Sequence, residues 1–65
     1  PSEYGFFLFK TKDKKVYVAW GGIELSKYLE GKFKLTDLYG NERIVNISEV
    51  EVDEDPVYLE PVGSS

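Results

Sequence analysis

Neither a cysteine nor a histidine occurs among the 65 residues, and that double absence constrains the fold more than any motif does. A chain this short buries only about 60% of the surface its unfolded form exposes. Small domains commonly offset that deficit with disulfides or a structural zinc ion, and both routes are closed here. Stability has to come from packing. Aromatic side chains supply it: Phe6, Phe7, Phe9, Phe33, Trp20 and five tyrosines, each ring removing about 150–250 Å² from water when buried.

Charge narrows the partners. A net charge of −4 and a pI of 4.6 argue against nucleic acid and against an anionic membrane surface, because both attract a basic patch. The charge is unevenly spread. Seven lysines lie between Lys10 and Lys34, and six carboxylates without a base lie between Glu49 and Glu60. The simplest reading is that these are solvated faces that complement one another across strands. No apolar run approaches the roughly 20 residues of a membrane-spanning helix, and nothing at the start resembles a signal peptide. The start at Pro1 and the ending Gly63-Ser64-Ser65 read as an excised piece, with residues 1–62 forming one domain and 63–65 a disordered tail or scar.

The pattern along the chain is that of strands. From Tyr4 to Lys10 the residues are nearly all apolar, Tyr4, Phe6 and Leu8 alternating with Gly5, Phe7 and Phe9, as in a strand buried on both faces. A polar turn at Thr11–Lys14 leads to a second strand, Lys15–Trp20, with Val16, Val18 and Trp20 on one face and Tyr17 and Ala19 on the other, so the two pair as a hairpin. Gly21-Gly22 bends the chain, and Ile23–Leu25 reads as a short strand resuming after the bend. Ser26–Gly31 is a loop with one turn of 3₁₀ helix, and Lys32–Leu38 a strand with Phe33 and Leu35 inward. Gly40-Asn41 suits the centre of a two-residue type II′ hairpin, with a returning strand from Glu42 to Ile47. Ser48–Asp53 alternates as a further strand, Asp53–Pro56 turns, and Pro56–Glu60 closes the domain. About seven short strands and no long amphipathic helix predict an all-β domain, a small antiparallel β-sandwich or a sandwich rolled toward a barrel. The expected core is Phe6, Leu8, Val16, Val18, Trp20, Phe33, Leu35, Val50, Val52, Val57 and Leu59.

Catalytic chemistry is hard to place on such a chain. The serines have no histidine to activate them, and a carboxylate pair needs a cleft that so small a sheet cannot enclose. Gly21-Gly22 lacks the spacing and the following helix of a phosphate loop. Asp53, Glu54 and Asp55 match no calcium loop and read as a solvated turn. No catalytic, cofactor or metal residue is therefore assigned. Sugar stacking on an exposed ring is the remaining chemistry. Trp20 continues the Val16 and Val18 face and belongs to the core on that pattern, which leaves Tyr28 and Tyr39, in loops or turns, as the candidate contacts for a sugar or another partner.

Three runs occur in a telling order: Val16-Tyr17-Val18-Ala19-Trp20, then Phe33 to Asn41, then Asp55-Pro56-Val57-Tyr58-Leu59. They resemble the small C-terminal β-sandwich that follows the catalytic TIM barrel in many glycoside hydrolases, and the match extends from Tyr4 to Glu60. The stretch Ser26–Gly31 departs from it, since a proline-rich extended segment is more usual there. The resemblance implies a non-catalytic accessory domain whose partner is the catalytic barrel of the same parent chain; a polysaccharide, met through the exposed rings of Tyr28 and Tyr39, is the other partner to be tested. It also implies Trp20 in the core, Asp37 and Asn41 pinning a turn, and Tyr58 on the closing strand. The alternative is a free-standing SH3-like barrel that binds a peptide or protein, whose signature is clustered exposed aromatics beside acidic residues. The absence of Gln, Cys and Met alongside many Lys and Glu points to a thermophile.

Overall fold

Five strands form in the computed structural model, which describes residues 5–62. They are β1 (Gly5–Lys10), β2 (Lys15–Trp20), β3 (Lys32–Thr36), β4 (Glu42–Asn46) and β5 (Val57–Pro61). All pair antiparallel in one sheet of order β1-β2-β5-β3-β4. Two hairpins flank the last strand, which inserts between them, so Leu59 lies beside Tyr17 on one side and Leu35 on the other. The fold is all-β, as the alternation predicts. The expected Tyr4 face position and the tail at 63–65 lie outside the described residues.

Where seven strands were expected, two of the segments do not join a ladder. Ile23 leads into a 3₁₀ turn at Leu25–Lys27, and Ile47–Glu49 forms a second one before residues 50–53, which have no regular structure although Val50 is extended. Both connections cross one face of the sheet and bury Ile23, Leu25, Ile47 and Val52 against Ala19, Phe33, Leu35 and Leu59. Their alternation is real, and it records which side chains face the sheet; among the described residues neither segment joins a ladder. Hydrogen bonds tie this layer down instead. The Ile47 N–H donates to the Gly31 carbonyl at 2.9 Å, and those of Gly21 and Gly22 donate to the Asp53 carbonyl at 2.7 and 3.3 Å. That second pair needs φ of 84° and 79° at the two glycines, a region costly to residues with a Cβ. Asn46 caps the second 3₁₀ turn, its Oδ1 accepting from the Ser48 N–H at 3.0 Å.

The β3–β4 hairpin also differs from expectation. Its loop is Leu38-Tyr39-Gly40, three residues rather than two, with the Asp37 N–H donating to the Asn41 carbonyl at 3.0 Å and Gly40 at φ 89°. This is the three-residue arrangement in which the last position is left-handed. The Asp37 carboxylate decides it, accepting from the N–H groups of Tyr39 at 2.8 Å and Asn41 at 2.9 Å and from the Asn41 side-chain amide at 3.2 Å. The Asn41 main-chain N–H is the chief cause that holds the Asp37 carboxyl below its ordinary value near 3.8, against an opposing desolvation. Since the folded value is the lower one, the ionised carboxylate stabilises the hairpin above the unfolded chain's value, and that contribution is lost as pH falls through the folded one. Asp37→Asn should flatten the fall in thermal stability below about pH 4. An unchanged acid limb in the variant would contradict the assignment.

Candidate functional site

Strand alternation gives the sheet two unlike faces. On the covered face Phe6 stacks on Tyr17 with ring centroids 5.6 Å apart, and Tyr17 meets Phe33 edge-on at 5.9 Å. On the other face β1 contributes Phe7 and Phe9, β2 contributes Val16, Val18 and Trp20, and β5 contributes Tyr58. Phe7, Val18 and Tyr58 are successive cross-strand partners, so they form one row across three strands. The Phe7 ring lies 5.4 Å from Trp20 and 6.3 Å from Phe9. Nothing in the described residues covers this cluster: Phe7 is 56% and Phe9 58% exposed, and Tyr58 and Ile44 are exposed as well.

Trp20 therefore corrects the core expected from the sequence. It does continue the Val16 and Val18 face, but that is the open face; the connections press on the Tyr17 and Ala19 side, where the small Ala19 lets them approach. Val18 is buried under its open-face neighbours, Val16 and Trp20 are half-buried, and Leu8 is exposed on the edge strand. Phe6, Val50 and Val57 pack at the margin of the core, and Phe33, Leu35, Val52 and Leu59 lie inside it as expected. Strand β1, expected to be buried on both faces, is instead an edge strand with Phe7, Leu8 and Phe9 all exposed.

Gly5 is what holds the indole in place. It pairs with Trp20 across the hairpin, and a Cβ there would collide with the six-membered ring. Gly5→Val should push the ring off the sheet at a cost of about 1–3 kcal/mol and shift the emission of the chain's single tryptophan to the red. An unmoved emission maximum would contradict this packing.

The half of the open face built on β3, β4 and the end of β5 is charged. Lys34 bridges Glu60 at 3.9 Å and Glu42 at 3.8 Å, and Lys14 reaches Glu60 at 3.6 Å. Lys34 and Glu60 are direct register partners, which is the cross-strand complementarity the charge distribution suggested. At the other end, Trp20, Gly21, Gly22 and Val52 line a hollow with Asp53, Glu54 and Asp55. The arrangement is thus an apolar centre with charged flanks, and among the described residues no set of three acidic side chains is grouped to hold a metal ion.

The two rings singled out from the sequence are not brought together. Tyr28 follows the first 3₁₀ turn and is 56% exposed, but its ring stacks on Phe6 at 5.4 Å, over edge strand β1. Tyr39 is 82% exposed at the tip of the β3–β4 hairpin, at the other edge of the sheet. The sequence pattern does not reveal the cluster that does form, because a run as apolar as Gly5–Phe9 reads as a strand buried on both faces. No family model, curated protein or solved structure matches the chain.

Proposed function

We propose that this chain is a non-catalytic accessory domain whose open sheet face is covered by a larger neighbour, the catalytic barrel of the same parent chain that the sequence resemblance implies. The observation that carries the reading is the uncovered cluster of Phe7, Phe9 and Tyr58 around the half-buried Trp20. A contiguous apolar patch on a small soluble domain marks an interaction surface, and an apolar centre beside the Lys34, Glu42 and Glu60 network has the core-and-rim anatomy of a protein interface. The three sequence runs, in family order, supply the barrel as the neighbour. A free-standing peptide-binding module is the second reading, favoured by the hollow where Trp20 meets Asp53, Glu54 and Asp55. Against it, the five described strands form an open sheet with β1 and β4 as edges.

Sugar binding by the isolated domain is not expected. Tyr28 and Tyr39 offer two separated rings rather than a platform, too little contact area to offset the lost freedom of a flexible oligosaccharide. Titrating xylan, mannan, cellulose and β-glucan oligomers into labelled protein should leave the amide spectrum unchanged. Saturable shifts at Tyr28 or Tyr39 would make the chain a carbohydrate-binding module and overturn the accessory role. The reading frame around the segment separates the two protein-binding readings: βα repeats with two glutamates at strand ends ahead of Pro1 fit an accessory domain, and a start and stop flanking the segment fit a free module.

A further inference from the structure

Edge strands of a soluble sheet are normally guarded by charge, proline or a bulge. Strand β4 follows that rule with Glu42 and Arg43. Strand β1 does not: Gly5-Phe6-Phe7-Leu8-Phe9 carries no charge before Lys10, and three of its residues in succession are exposed. The direction of its free hydrogen-bonding groups follows from the hairpin. The Thr11 N–H donates to the Lys14 carbonyl at 2.8 Å, so by the antiparallel alternation Phe9 and Phe7 exchange bonds with Val16 and Val18. The main-chain groups of Phe6, Leu8 and Lys10 therefore face the edge along which no described strand pairs.

Charge selects what fits there. The turn at the Lys10 end carries Lys10, Lys12, Lys14 and Lys15 against Asp13 alone, and Lys14 already meets Glu60. At the Gly5 end the sheet carries Asp53, Glu54 and Asp55, held beside Gly21 by the 2.7 Å bond to the Asp53 carbonyl. A second copy laid antiparallel along β1 brings each basic turn to the other copy's acidic end, whereas a parallel alignment sets like charges side by side. The basic turn of one copy and the acidic loop of the other lie about two strand spacings apart, roughly 10 Å, so their attraction is felt most at low salt, where screening lengths exceed that distance.

We infer that the β1 edge is a self-pairing surface, two copies joining through antiparallel β1 strands about a two-fold axis at Leu8, and this holds whatever covers the aromatic face. Leu8 then exchanges both main-chain bonds with Leu8 of the second copy, and Phe6 pairs with Lys10, which uses every outward group of the strand. Phe7 of each copy comes to lie opposite Phe9 of the other on the open face. A two-fold axis normal to the sheet keeps both aromatic faces on one side, so the paired chains form one continuous sheet of ten strands.

The test uses the chain made by chemical synthesis, unmodified and with the Leu8 nitrogen methylated. Sedimentation of the unmodified chain should show a dimer at up to about 1 mM, weakening as salt is raised. Methylation removes two outward bonds per dimer without touching the bonds to β2, and should raise the dissociation constant about thirtyfold. Leu8→Lys, which sets like charges across the axis, should abolish the dimer and guards against a methylated chain that fails to fold. In a sample mixed from labelled and unlabelled chains, a nuclear Overhauser contact between the α-protons of Phe7 and Phe9 of different copies fixes the register. A monomer throughout that concentration range would overturn the proposal. So would a dimer that both modifications leave intact, which would mean that the chains associate through their aromatic faces.

Discussion

Leu59→Ala should leave most of the chain unfolded at 37 °C. Leu59 is fully buried on the strand that joins the two hairpins, with Tyr17 on one side and Leu35 on the other, so truncating it loosens both halves at once. Removing a buried leucine side chain costs about 2–5 kcal/mol, and a single core in a domain this small rarely supplies more than about 3–5 kcal/mol. The loss is therefore comparable to the whole stability. Ile44→Ala, at an exposed position on edge strand β4, should stay within about 0.5 kcal/mol of the parent chain. Urea unfolding followed by far-ultraviolet circular dichroism separates them. A Leu59→Ala midpoint equal to that of Ile44→Ala would mean that β5 does not hold the sheet together.

How far the fold could be read from the residues depends on what a period of two encodes. Lys32–Leu38 and Pro56–Glu60 were legible because their inward residues, Phe33, Leu35, Val57 and Leu59, alternate with polar ones on a strand with neighbours on both sides. Ile23 and Leu25, and Val50 and Val52, alternate just as well, but they lie across the sheet and join no ladder. Alternation reports which way side chains face and is silent on whether a partner strand runs alongside. The same limit hid the open face. Val16, Val18 and Trp20 share a side, as the pattern says, yet only the packing of the two connections onto Ala19 decides which side is covered.

The aromatic site was obscured for a related reason. A strand such as Gly5–Lys10, apolar at nearly every position, fits a buried central strand, and its place at the edge follows from β5 inserting between β2 and β3, an event about 50 residues further along the chain. The β3–β4 loop shows the opposite case. Gly40 and Asn41 read as turn residues, whereas the pattern keeps Asp37 in the strand and only the family resemblance gives it a turn role; the extra loop residue comes from the Asp37 carboxylate gathering two main-chain N–H groups.

The largest effect expected of the docking face proposed for this sheet is its protection in a longer parent protein, and hydroxyl-radical footprinting read residue by residue by mass spectrometry measures it. In the isolated chain at dilution, Phe7, Phe9, Trp20 and Tyr58 should be oxidised readily, with buried Phe33 as the protected standard and exposed Tyr39 as the reactive one. In the full product of the parent gene the first four should be protected several-fold while Tyr39 stays reactive, because a covering neighbour excludes solvent from an interface core and leaves the rim wet. Equal oxidation of Phe7, Phe9, Trp20 and Tyr58 in the two samples, or a parent gene that encodes no further domain, would contradict the claim that this face exists to be covered.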